Sequence, residues 1–114
     1  MPPRDWRVRI DDALQAARRI LHYSEGMSLE VLNADERTTD AIIKNFMVIG
    51  ESARHVPEEI RLRHPTVPWD AMRDMRNVVV HEYFGLSVEI LWRTVTKDIP
   101  ALIQALEQIE KTVD

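Results

Sequence analysis

The sequence predicts an all-α protein, an antiparallel up-and-down bundle of four main helices plus one short helix, forming a single domain over residues 1–114. Three observations carry this expectation. Apolar residues recur three and four positions apart, the repeat of one helix face, through nearly the whole chain. Glycine is scarce, with 3 in 114 residues, and of the 6 prolines all but Pro100 stand before or between periodic segments. No stretch shows the apolar–polar alternation of a half-buried strand.

The first helix follows Pro2 and Pro3. Its stripe is Ile10, Leu14, Ala17 and Leu21, with Ala13 and Ile20 beside it. Gly26, free to take the left-handed conformation, is its stop. A second helix is expected to begin near Asn33-Ala34-Asp35-Glu36, where Asn33 and Glu36 have capping-box spacing. Its stripe runs Ile42, Phe46, Ile49, Ala53, and it ends around His55. Pro57 suits the first turn of the short helix, which carries Ile60 and Leu62. The prolines in His64-Pro65-Thr66-Val67-Pro68 force extended geometry on the residues before them. Pro68 then opens a helix from Trp69 to about His81. Phe84-Gly85-Leu86-Ser87 reads as a turn with Ser87 as an N-cap. The last stretch carries Leu91, Val95, Leu102, Leu106 and Ile109, and Pro100 must kink or split it.

The bulk numbers narrow the function. A chain this short buries one modest core and leaves no room for a separate substrate domain. The absence of cysteine excludes disulfides, thiolate nucleophiles and cysteine-based zinc sites. The N-terminus lacks an apolar signal core, and no stretch approaches the roughly 18 apolar residues of a membrane span. The simplest placement is cytoplasmic, with no membrane partner. The net charge of -4 argues mildly against a nucleic-acid binder, although phosphates respond to a local patch rather than to the bulk.

Chemistry concentrates in Arg76-Asn77-Val78-Val79-Val80-His81-Glu82-Tyr83. On a helix from Trp69 to Tyr83, Ala71, Met72, Met75, Val78 and Val79 share the face that packs inward. Asp70, Arg73, Asp74, Asn77 and His81 share the opposite side. Asp74, Asn77 and His81 lie nearly in line, so Asn77 can orient the His81 imidazole and Asp74 can favour its charged form. Arg76 stands apart, roughly 140° around an ideal helix from His81. The two converge if the helix ends or distorts near His81, or if two chains each supply one of them to a shared cleft. Tyr83 returns to the Arg76 side seven residues on. An Arg forks onto phosphate, and a His moves protons near neutral pH. RNA brings its own nucleophile, the 2′-hydroxyl, so this pair suffices to cleave RNA without a metal or other cofactor, and DNA should resist. On spacing alone, a solvated ion-pair face with a capping His81 is the favoured reading.

The wider pattern is more specific. Pro68-Trp69, followed by Met75 through Gly85, resembles the signature of the HepT-like branch of the HEPN superfamily: Arg, four residues, His, one residue, Tyr, with Asn after the Arg and Pro-Trp upstream. Ile49-Gly50-Glu51-Ser52-Ala53 resembles the second-helix segment of that family. The resemblance implies a homodimer of helical bundles whose two motifs meet at a cleft, acting as a metal-independent endoribonuclease and as the toxin of a toxin–antitoxin pair. It implies Arg76 and His81 as catalytic, Asn77 in support, and Glu51 helping to position the cleft. Asp74 and Arg73 complete the supporting set. The implied antitoxin is a minimal nucleotidyltransferase that adds AMP to Tyr83 and so places a bulky anion beside Arg76. The reading from a different class is a non-catalytic module that helps such a nucleotidyltransferase hold a nucleotide or substrate; a bare dimerising scaffold is the third.

Other features have plain readings. Arg61, Arg63 and His64 are expected as a solvated basic face. His22 and His55 are read as isolated polar groups without metal-ligand spacing, and Trp6, Trp69 and Trp92 as packing anchors.

Overall fold

A computed structural model describes residues 5–83 and 88–112, with the side chains of residues 77–83 left out. Its elements are helical: α1 (Trp6–Ser24), α2 (Leu29–Ala34), α3 (Glu36–Arg54), α4 (Glu58–Arg63), α5 (Trp69–Tyr83), α6 (Val88–Arg93), a π-helical turn (Thr94–Asp98) and α7 (Ile99–Lys111). The expected turn at Phe84–Ser87, with its Ser87 cap, lies outside the described residues.

The expected all-α bundle is what forms. α1 lies against both α3 and α7, and α3 lies in turn against α5. The start of α1 faces the end of α3, since Arg9 and Glu51 line one cavity while Tyr23 and Ala41 line another. α1 and α7 also run antiparallel: Arg18 pairs with Glu107 at 2.8 Å, and Trp6 lies beside Thr112. The core is the sum of the stripes read from the sequence. Ile10, Leu14, Ile20, Ile42, Phe46, Ile49, Leu102 and Leu106 are fully or almost fully enclosed. Ala13, Ala16 and Ala17 are buried on α1, where small side chains let a neighbouring helix approach closely.

Each helix starts for a local reason. Asp5 accepts from the Arg7 backbone N–H at 2.9 Å and caps α1. Gly26 takes a φ of 76° just past its end. The second long helix starts where expected, at Glu36, but its expected cap needs correction. Asn33 sits inside α2, a six-residue helix capped by Ser28 that the apolar periodicity does not announce. The cap of α3 is Asp35, whose carboxylate accepts from the Thr38 N–H at 3.0 Å and the Thr38 hydroxyl at 2.7 Å. These two hydrogen bonds hold the Asp35 carboxyl below the usual carboxylate range.

Pro100 splits the last stretch, as expected of a residue that cannot donate a backbone hydrogen bond. It sits at the start of α7, directly after the π-helical turn. A π turn inserts a residue into the ladder and so turns the apolar face to a new register. Leu91 before it, Val95 within it and Ile99 and Leu102 after it are all buried.

Two elements fix α5, the helix that carries the motif. Met72 and Met75 are buried beneath it, whereas Ala71, expected to face inward, is exposed. At its first residue the buried Trp69 donates its indole N–H to the carbonyls of His64, at 3.0 Å, and Arg61, at 3.2 Å. The break around Pro65 is thereby tied to α5, and Trp69 is an anchor as expected. The basic residues Arg61 and His64 lend their backbone to this anchor, while Arg63 is exposed. Trp69→Phe keeps an aromatic ring but removes the shared donor and part of the ring volume. It is expected to lower stability by about 1–3 kcal/mol in reversible denaturation, and an unchanged midpoint would show that the shared N–H does not hold α5.

Candidate active site

The site is built where α3 and α5 come closest. Gly50 faces α5 with no side chain, and the Arg76 side chain lies across it. A Cβ placed at Gly50 would stand 2.5 Å from Arg76 Cγ and 3.3 Å from the Met72 carbonyl oxygen. The contact therefore depends on glycine's size, in a helix where glycine otherwise disfavours folding.

The next residue on α3 is Glu51. Its carboxylate meets the Arg76 guanidinium at 3.4 Å. The same carboxylate hydrogen-bonds the His55 ring at 3.0 Å and lies 3.8 Å from the Arg54 guanidinium. The His55 bond is the main cause holding Glu51 below the usual carboxylate range; desolvation opposes it, and the Arg54 and then the Arg76 charge add to the lowering. Both members of the Glu51–Arg76 pair are nearly half exposed, so the pair contributes on the order of 0.2–1 kcal/mol. Arg76 is thus aimed by a carboxylate that also meets the Arg54 guanidinium and the His55 ring.

Arg76 and Glu51 form one wall of a cavity of ≈ 380 Å³ between α1 and α3, with Arg9, Lys44, Met47 and Val48 also lining it. Of the residues singled out in the sequence, Arg76 and Glu51 come together. Arg73 turns away and pairs with Asp70, and Asp74 is exposed. The side chains of Asn77, His81 and Tyr83 lie outside the described ones, but the backbone is helical from Trp69 to Tyr83. The described helix runs two residues past His81, and on it roughly 140° of rotation separates the position of Arg76 from that of His81. Two side chains were missed in the sequence. His55, read as isolated, is the nearest partner of Glu51; its four-residue spacing from Glu51 on one helix was the available signal. Arg9 sits far away in the chain, and nothing in its neighbourhood announces that it shares a cavity with Arg76.

Among the described residues no group of His, Asp or Glu is arranged to hold a metal ion. None of their helices is long and apolar enough to cross a membrane.

The all-helical fold and the Arg-x4-His-x-Tyr sequence on α5 fit the resemblance to HepT-like domains. The comparison with known families agrees: the model of the "Ribonuclease HepT-like" family matches residues 13–109, and this chain belongs to that family. It is 32% identical over its full length to "Putative RNase MJ0127" of Methanocaldococcus jannaschii, covering 94% of that protein. It is 33% identical to "Probable ribonuclease HepT" of Thermococcus cleftensis, over 90% of this chain and 93% of the relative. A third relative, "Putative RNase TTE0752" of Caldanaerobacter subterraneus, is 33% identical over 90% of this chain and 92% of its own length. No solved structure matches the chain.

Two outcomes test the geometry. Carboxyl NMR should show Glu51 titrating below an ordinary glutamate, and His55→Ala should move it upward further than Arg54→Ala or Arg76→Ala does. Because its folded pKa is lowered, the stability Glu51 contributes is present above the unfolded value and lost as pH falls through the folded one. An ordinary titration in the parent protein would contradict the shared ion pair. Gly50→Ala gains about 0.5–1 kcal/mol of helix propensity but overpacks the α3–α5 contact by about 1–3 kcal/mol. The net expectation is a lower melting temperature and a Glu51 titration shifted upward as Arg76 is pushed away; a more stable variant with Glu51 unchanged would contradict it.

Proposed function

We propose that this chain is the endoribonuclease toxin of a toxin–antitoxin pair, cutting RNA at a site that two copies complete, and that a minimal nucleotidyltransferase silences it by adding AMP to Tyr83. The observation that carries this reading is Arg76, half exposed and loosely held by Glu51 at a groove, on a helix that continues through His81. His81 takes the proton of the RNA 2′-hydroxyl, whose oxygen attacks the adjacent phosphorus. The phosphorane charge is neutralised by Arg76, the 5′-oxygen leaves with a proton drawn from water, and a 2′,3′-cyclic phosphate remains. Asn77 orients the imidazole. The reaction needs no metal, because the nucleophile belongs to the substrate.

The helical backbone through His81 supports the shared-cleft alternative over distortion, since five residues on an ideal helix set the two positions roughly 140° apart. Tyr83 lies two helical turns beyond Arg76, so an AMP on its hydroxyl, with pyrophosphate released from ATP, would put a phosphodiester anion near the guanidinium. The coarser statement, membership of a ribonuclease family, rests on the family match.

RNA with a chelator present should be cut and DNA should not, and His81→Ala should slow cleavage by about 10²–10⁴-fold. Mixing Arg76→Ala with His81→Ala subunits and letting them exchange should restore cleavage that neither variant shows alone, because one cleft then receives an intact Arg from one chain and an intact His from the other. Wild type no more active than His81→Ala would remove the enzyme reading, and a silent mixture would remove the shared cleft. Tyr83→Phe should stay active and resist silencing by the nucleotidyltransferase.

A further inference from the structure

We propose that the groove between α1 and α3 is a binding track for the single-stranded RNA that runs away from Arg76, with Arg9, Lys44 and Arg19 meeting successive phosphates and Tyr23 stacking a base at the far end. The proposal rests on the ribonuclease reading and adds to it where the strand lies.

The groove has two connected parts. The cavity that contains Arg76 shares Lys44 and Val48 with a second cavity of ≈ 360 Å³, which Arg19 and Tyr23 line. The two together form a channel along the helix pair. Its α1 side carries Arg9, Arg19 and Tyr23, spaced ten and four residues apart on one face. From Arg9 to Tyr23 the helix rises about 21 Å, enough for several nucleotides at 3.4 Å or more each.

Charge complementarity selects the occupant. The chain carries 19 acids against 15 Lys and Arg, yet this groove reverses the balance. Arg76, Arg9, Lys44 and Arg19 line it against the carboxylates of Asp12 and Glu51, and Glu51 is already shared among Arg54, His55 and Arg76. Elsewhere Arg7, Arg18 and Arg73 each have a carboxylate partner, whereas no ion pair among the described residues includes Arg9, Arg19 or Lys44. The Arg9 Nε–H is moreover buried without a hydrogen-bond partner. A buried donor left in this state is costly, and an arriving phosphate oxygen that draws the guanidinium out would relieve it. Tyr23 is exposed at the other end with its ring available, and an aromatic face beside a basic groove is how single strands are held without sequence preference. The floor between, Val48 with Met47 at the lip, is apolar and suits the flat faces of unstacked bases.

The test uses the full chain with His81→Ala, so that RNA is bound but not consumed, and a fluorescent twelve-nucleotide oligouridine as the probe. Adding Arg19→Ala with Lys44→Ala should reduce the slope of log affinity against log salt by about 1.4, near 0.7 per lost phosphate contact. The control pair Lys97→Ala with Lys111→Ala removes the same charge from the far helix and should leave the slope unchanged. Tyr23→Ala should weaken binding by about tenfold at any salt, and Tyr23→Phe should restore it. Equal slopes for the groove pair and the control pair would overturn the track while RNA binding itself stands. A groove pair that instead breaks the protein into single chains in sedimentation would also overturn it, because a second copy would then occupy the groove. If the parent variant binds no RNA and the native protein cuts none, it is the ribonuclease reading that has failed, and the track falls with it.

Discussion

The close approach of α3 and α5 at Gly50 governs the rest of the site. Were any side chain present there, Arg76 could not lie across α3, and its guanidinium would not reach the carboxylate one residue further on. The approach is possible only because both helices are held from outside the contact. α3 is fixed by Ile42, Phe46 and Ile49 in the core, and α5 by Met72 and Met75 beneath it and by the Trp69 indole at its start. The glycine is thus a local weakness in α3 that the surrounding packing offsets, and the gain is a cation placed at the surface at a defined height over a groove. Helix propensity and site geometry oppose each other at this one residue, and geometry prevails.

How much of this was legible in the sequence varies with the range of the interaction that decides it. The long helices follow from apolar periodicity, a local signal that tertiary packing reinforces, and the stripes Ile10–Leu14–Ala17 and Ile42–Phe46–Ile49 are buried as read. The helix α2 is too short to show a period, and it swallowed the Asn33 expected to cap α3. Capping-box spacing pointed to Asn33, but the cap is Asp35, which the Thr38 hydroxyl rewards. The break at Pro100 was legible, but the π turn that accommodates it depends on packing on both sides. In the site, resemblance supplied Glu51 and local helix geometry separated Arg76 from His81. The Glu51–Arg76 contact itself joins residues 25 apart in the chain, and no local rule reaches that far.

The strength of the Arg76 ion pair also matters to what the site can do. An Arg locked in a buried, fully satisfied pair would have to lose those bonds before it could bind a phosphate, at the cost of several kcal/mol for an unpaired buried charge. Here the pair is half exposed and lacks a short hydrogen bond, while the best bond of Glu51 goes to His55. Arg76 is oriented without being satisfied. A phosphate diester offers two oxygens to a guanidinium in fork geometry, which a single carboxylate oxygen at 3.4 Å does not match. On the proposed reading the exchange would run toward the substrate, and Glu51 would keep His55 and Arg54 as partners.

The same distinction resolves the tension between an acidic protein and a polyanionic substrate. A net charge of -4 lowers the long-range attraction for nucleic acid, but ions screen that attraction over about 8–10 Å in any case. Within that distance of the groove, what a strand meets is set by the side chains that line it, and there cations outnumber carboxylates. Acids placed elsewhere serve local ends: Asp5 and Asp35 cap helices, Asp70 pairs with Arg73, and Glu107 ties α7 to α1 through Arg18. An overall negative charge combined with a basic groove would discourage indiscriminate coating by RNA and leave binding to strands that can enter the groove. On this view the acidic composition is a selectivity term for a nuclease and not an argument against one.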